Sequence, residues 1–142
     1  MRVYYPKAKR EYNISNFNCG GYAFEFDDRF VNLIIPAGIN YEDVDKDYIV
    51  NPQKKEYLVA KRTGRFDTNQ GSTYGNPIHY WKQDPVTGEW WDKPGVKEIR
   101  CLGYASPEDD NGLGWIQEGI SQGYYTSSTS YFKVIDIEFW TK

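Results

Sequence analysis

Between Cys19 and Leu33 the large apolar residues fall at Tyr22, Phe26, Phe30 and Leu33, steps of four, four and three that share one face of an α-helix. The spacing predicts a helix from Cys19 to about Leu33, with Glu25 and Arg29 paired at i, i+4 on another side, ended by "IIPAGI" at Pro36 and Gly38. The acidic "NYEDVDKDY" has weak periodicity and reads as a short second helix broken by "NPQKK". Beyond it the pattern becomes that of strands. "EYLVAKR" places Tyr57, Val59 and Lys61 on one side, and "IHYWKQ", "EWW", "VKEIRCLGY" and "SYFKVIDIEFW" are rich in β-branched and aromatic residues. "DPVTGE" is a turn, and the polar "TGRFDTNQGSTYGNP" is a long connection of the kind that usually carries function.

One early helix followed by strands predicts an α+β fold, the helix packed on one face of a mostly antiparallel sheet. The 142 residues, 1–142, read as a single domain with one core. Mean hydropathy of −0.75 understates that core, because 13 Tyr and 5 Trp carry large apolar bodies behind one polar atom. The net charge of −3 gives no broad basic field, which argues against nucleic acid. No apolar run approaches the ~18 residues of a spanning helix, and "MRVYYPKAKREYN" lacks a signal-peptide core, so the expectation is a cytoplasmic protein that does not engage membranes. With one His and two Cys no zinc-type ligand set exists, and "SPEDDNGLGW" breaks the calcium-loop pattern at Leu113. No metal or other cofactor is expected.

The chemistry concentrates in "NISNFNCGGYAF". A cysteine in the first turn of a helix has its sulfur near unpaired N–H groups, which favour thiolate, and Gly20 and Gly21 leave room for a substrate beside it. The single histidine, His79, opens "HYWKQ". With "PVTG" as a four-residue turn, Trp81 lies opposite Asp92, and Asp92 becomes a same-face diagonal neighbour of His79. A one-residue slip would break that placement. Cys19, His79 and Asp92 then have the types of a nucleophile, a base and its orienter. The bland alternatives are a buried small hydrophobe, a core histidine and a turn cap before "KPG". Cys101 in "EIRCLGY" reads as a packing residue, inert until unfolding. Tyr12, Asn13, Tyr74 and Trp81 are candidates for a cleft wall.

"NCGGYAF" and "HYWKQDPVTGEWWDKPG" resemble papain-like cysteine hydrolases, in particular a small bacterial and phage branch with an Asn-Cys-x-x-Tyr-Ala motif and a His-aromatic-aromatic strand. That resemblance implies a papain-like domain with Cys19 as nucleophile, His79 as general base and Asp92 as the third polar position. Asn18 matches the motif, so its amide or the Cys19 N–H would stabilise an oxyanion. Gly20 and Trp81 join it as substrate-binding positions. Two departures stand out: Asp92 where the branch often has His, and Gly20 where it has an aromatic or small residue. The expected function is hydrolysis of an amide bond in a protein or peptide, as peptidase, amidase or deamidase. The alternative is a non-catalytic phage or mobile-element inhibitor of a host protein, binding through the acidic loops at 40–47 and 107–111.

Overall fold

The computed structural model describes residues 3–4, 16–26, 29–31, 34–51, 54, 56–66, 78–93, 98–109, 123–125, 128–135 and 140–141. Its elements are β1 (Val3–Tyr4), α1 (Cys19–Ala23), β2 (Asn40–Val44), β3 (Glu56–Phe66), β4 (Ile78–Gln83), β5 (Trp90–Asp92), β6 (Arg100–Gly103), β7 (Gly123–Tyr125), β8 (Ser130–Ile135) and β9 (Trp140–Thr141). An open antiparallel sheet runs in the order β2-β8-β3-β4-β5-β6, and α1 packs against it. β7 extends β3 beyond β8, and β1 pairs with β9. The α+β expectation of a cysteine-bearing helix on an antiparallel sheet describes this arrangement.

Alternation along the central strands divides the core. Tyr57, Val59, Tyr80, Phe132 and Val134 pack with Cys19, Ala23, Phe24 and Val31, while Leu58, Ala60, Trp81, Trp90 and Tyr131 form a second cluster. Two contacts seat α1: the Tyr57 hydroxyl donates to the Ala23 carbonyl at 2.9 Å, and Phe24 meets the Tyr80 ring edge-on at 5.4 Å. A helix-terminal carbonyl that would otherwise lack a partner is thereby satisfied inside the core.

The predicted helix is cut short. It ends at Ala23, not near Leu33, and Phe30 on its predicted apolar face is 56% exposed. The Phe26 N–H returns to the Gly21 carbonyl at 2.8 Å and the Glu25 N–H to Tyr22 at 3.2 Å, a Schellman closure with Glu25 at φ 68°. A glycine would take that conformation freely; here a buried ion pair between Glu25 and Lys82 of β4 holds it. Lys82 also lies over the Tyr22 ring at 4.0 Å. Periodicity cannot see this, because the termination comes from a strand 57 residues away.

The glycines beside Cys19 answer to the same turn. A Cβ on Gly20 would lie 2.1 Å from the Val31 carbonyl oxygen, and one on Gly21 would lie 2.4 Å from that of Arg29. The room that the sequence suggests for a substrate is filled by the chain's own returning backbone. Gly20→Ala is therefore expected to cost about 3 kcal/mol in urea unfolding, since neither wall of the contact is a flexible side chain. A loss below ~1 kcal/mol would mean that the 29–31 segment does not press on α1.

"NYEDVDKDY" contains a strand rather than a helix. β2 runs antiparallel to β8, with Glu42 opposite Lys133 and their side chains 3.1 Å apart. An outer strand leaves its acidic side chains in water while its backbone finds partners in β8, so tertiary pairing overrides the weak helical signal.

Candidate active site

The turn between β4 and β5 sets the site's geometry. Asp84 Oδ1 accepts from the Val86 and Thr87 N–H groups at 2.8 and 3.2 Å, Gly88 takes φ 81°, and the Asp84 N–H pairs with the Glu89 carbonyl. "PVTG" is thus the four-residue loop, and Trp81 lies opposite Asp92 as the sequence indicates. The same-face diagonal brings His79 Nε2 to 2.7 Å from Asp92 Oδ2. His79 is 1% exposed and Asp92 0%. An ionised carboxylate only accepts, so Nε2–H donates to it, which leaves the buried Nδ1 as the ring's basic nitrogen.

Cys19 begins α1 and is buried, its thiol directed at the Ile78 carbonyl at 3.7 Å, one residue before His79. Burial alone would lower the His79 pKa. The Cys19 charge and the hydrogen bond from the ring to Asp92 outweigh it and raise the imidazole from 6.5 to about 9. Burial pushes the Asp92 carboxyl up, and its bonds to His79 and Arg100 bring it below the ordinary carboxylate value. With five residues α1 has little macrodipole, so the positive charge facing the sulfur belongs to side chains.

Asn18 is the N-cap. Its Oδ1 accepts from the Gly21 N–H at 3.0 Å and from the Val31 N–H at 2.9 Å, tying the start of the helix to the returning segment. That oxygen is committed to backbone, and the Cys19 N–H, at the first helical position, lies beyond the reach of any carbonyl of its own helix. Gly20 is buried beneath Val31. Trp81, expected at a cleft wall, is 0% exposed in the second core cluster and meets the His79 ring edge-on at 4.6 Å, so it shields and orients the imidazole. The cleft candidates Tyr12, Asn13 and Tyr74 lie outside the described residues.

The sequence reading missed three cations. Arg100 of β6 grips Asp92 with both arms, Nε to Oδ1 at 2.6 Å and Nη2 to Oδ2 at 2.9 Å. Lys93 is fully buried, donates to the Phe17 carbonyl at 2.5 Å and lies 4.5 Å over the Phe17 ring. Burial lowers its pKa to about 8, against the opposing pull of the Cys19 and Glu98 charges. Lys82 is the third. Arg100 stands opposite Asp92 in register, but a β-bulge between Trp90 and Trp91 shifts that pairing, so counting along the chain could not find it. For Lys93 one signal existed: a lysine next to the candidate Asp, directly after two tryptophans.

Cys101 corrects the opposite expectation. It is exposed on β6, with its thiol 3.4 Å from Glu89 Oε2, and partial burial with the Glu89 charge raises its pKa despite the Gly103 N–H. Among the described residues no group of three or more His, Cys, Asp or Glu is placed to hold a metal ion, and no helix is long and apolar enough to cross a membrane. No family model, curated protein or solved structure matches the chain.

Proposed function

We propose that the protein is a cysteine-dependent hydrolase of amide bonds, built on a papain-like plan. The observation that carries this reading is the buried 2.7 Å bond from His79 to Asp92, with the Cys19 charge acting on the same ring. His79 takes the Cys19 proton, and the thiolate attacks the amide carbonyl to form a tetrahedral oxyanion. The imidazolium then protonates the leaving nitrogen as the C–N bond breaks, giving a thioester and a free amine. Water adds to the thioester as His79 takes its proton, and the acid departs from the restored thiol. Peptidase, amidase and deamidase share these steps. The Cys-helix, His-strand, Asp-strand order supports the papain-like plan.

A second reading, a non-catalytic protein that binds a host protein, is favoured by one observation. Asp43, Asp45 and Glu108 come from two acidic segments that are distant in sequence, yet with Lys46 and Ser130 they line one cavity of about 490 Å³.

Alkylation across pH separates the two. Under the hydrolase reading the imidazolium persists up to about pH 9 and stabilises the developing thiolate, so Cys19 reacts with iodoacetamide faster than Cys101 at neutral pH. His79→Ala removes that cation and slows Cys19. Cys101, exposed beside Glu89, reacts in the native protein at higher pH and serves as an internal reference read by peptide mass. An unchanged Cys19 profile in His79→Ala would leave an ordinary thiol and favour the binding reading.

A further inference from the structure

We propose that Arg100 is a positioning residue that acts on His79 through Asp92, its guanidinium fork fixing the carboxylate and offsetting its charge. The inference rests on the hydrolase reading of the site and adds a fourth member to it. Its basis is geometric. Asp92 Oδ2 is shared by His79 Nε2 at 2.7 Å and Arg100 Nη2 at 2.9 Å, while Oδ1 takes Arg100 Nε at 2.6 Å. A bidentate grip fixes the plane of the carboxylate as well as its position, and the plane decides whether Oδ2 points at the ring. Asp92 is wholly buried, whereas the Arg100 side chain is 46% exposed on the outer strand β6. The base is therefore held from the protein surface, across two strands.

The charges around the ring make the direction of the effect predictable. Cys19 faces His79 from α1 and Asp92 from β5. Arg62 of β3 stands opposite it in register, with Nη1 donating to the Pro107 and Glu108 carbonyls, and Lys93 lies on the Cys19 side. Without Arg100 the full Asp92 charge acts on the imidazole, whose protonated form gains. Without Asp92 the Arg100 and Arg62 charges remain, and the protonated form loses. A pair of residues that merely stiffened the strand would not give opposite signs.

His79 is the chain's only histidine, so its ring Hε1 proton is a single NMR signal that reports its titration directly. Arg100→Gln is expected to raise the His79 midpoint by about 0.5 to 1 unit, and Asp92→Asn to lower it. Arg100→Lys, which returns the charge without the fork, should lie between wild type and Arg100→Gln. A His79 midpoint that is unchanged or lower in Arg100→Gln, in protein that keeps its wild-type fold by circular dichroism, would overturn the proposal. Should Arg100→Gln fail to fold, Arg100→Lys decides by the same criterion: a raised midpoint supports the role, and an unchanged or lowered one ends it. Failure of the hydrolase reading is visible separately, as a Cys19 alkylation profile indifferent to His79→Ala, whatever the His79 midpoint does.

Discussion

Under the proposed hydrolase function, Asp92→Asn is expected to reduce amide hydrolysis about 10³ to 10⁴-fold, a loss of the size seen when a triad's charged orienter is removed. The neighbours of Asp92 explain why the nearly isosteric amide should fail here. The carboxylate accepts three hydrogen bonds, one from His79 and two from Arg100. An amide has one accepting oxygen. If that oxygen stays with Arg100 Nε, the NH₂ confronts the Nη2–H of Arg100 and also drives the His79 ring proton to Nδ1, which then cannot receive the thiol's. If the amide turns over, its NH₂ confronts the Nε–H of Arg100 instead. Either way two donors meet in a buried site, so a stability loss of about 2 kcal/mol should accompany the kinetic one. Both effects are measurable on one preparation, by turnover of an amide substrate and by the urea midpoint. A stable variant with unimpaired turnover would remove Asp92 from the mechanism.

Lys82→Met should produce the largest loss of stability, about 3 to 5 kcal/mol by urea unfolding, because it breaks a buried ion pair by removing one charge and keeping the other. Lys82 is 0% exposed and Glu25 7%, so the pair is shielded from water. The double variant Lys82→Met with Glu25→Gly tests the cause. It removes the second charge as well and places glycine at φ 68°, where a side chain is strained, so most of the lost stability should return. Recovery would show that the pair exists to close α1 behind Cys19. A double variant no more stable than Lys82→Met would assign the loss to packing of the lysine stem against Tyr22.

How much of this was legible in advance differs by residue. The β4–β5 hairpin was readable in full, because Asp84, Pro85 and Gly88 define the loop and a two-residue period carries the register outward to Trp81 and Asp92. The reach from His79 to Asp92 followed from local chemistry alone. Arg100 did not, since the bulge at Trp90 and Trp91 and the residues between β5 and β6 separate it from any count. The helix was legible at its start, where Asn18 caps it, and not at its end. Cys101 shows the limit of composition: a cysteine among strand residues suggests burial, and only its place on an outer strand exposes it.

Local sequence set the central strands, the hairpin register and the types of group offered to the site, because turn chemistry and side-chain alternation act over a few residues. Tertiary packing decided where the helix stops, why Gly20 and Gly21 are glycines, and which cations surround Cys19 and Asp92. Each of those depends on backbone or charge brought from a distant part of the chain: Val31 against Gly20, Lys82 against Glu25, Arg100 against Asp92. Burial then gives these contacts their weight, since a charge or a carbonyl removed from water must be met by the chain itself.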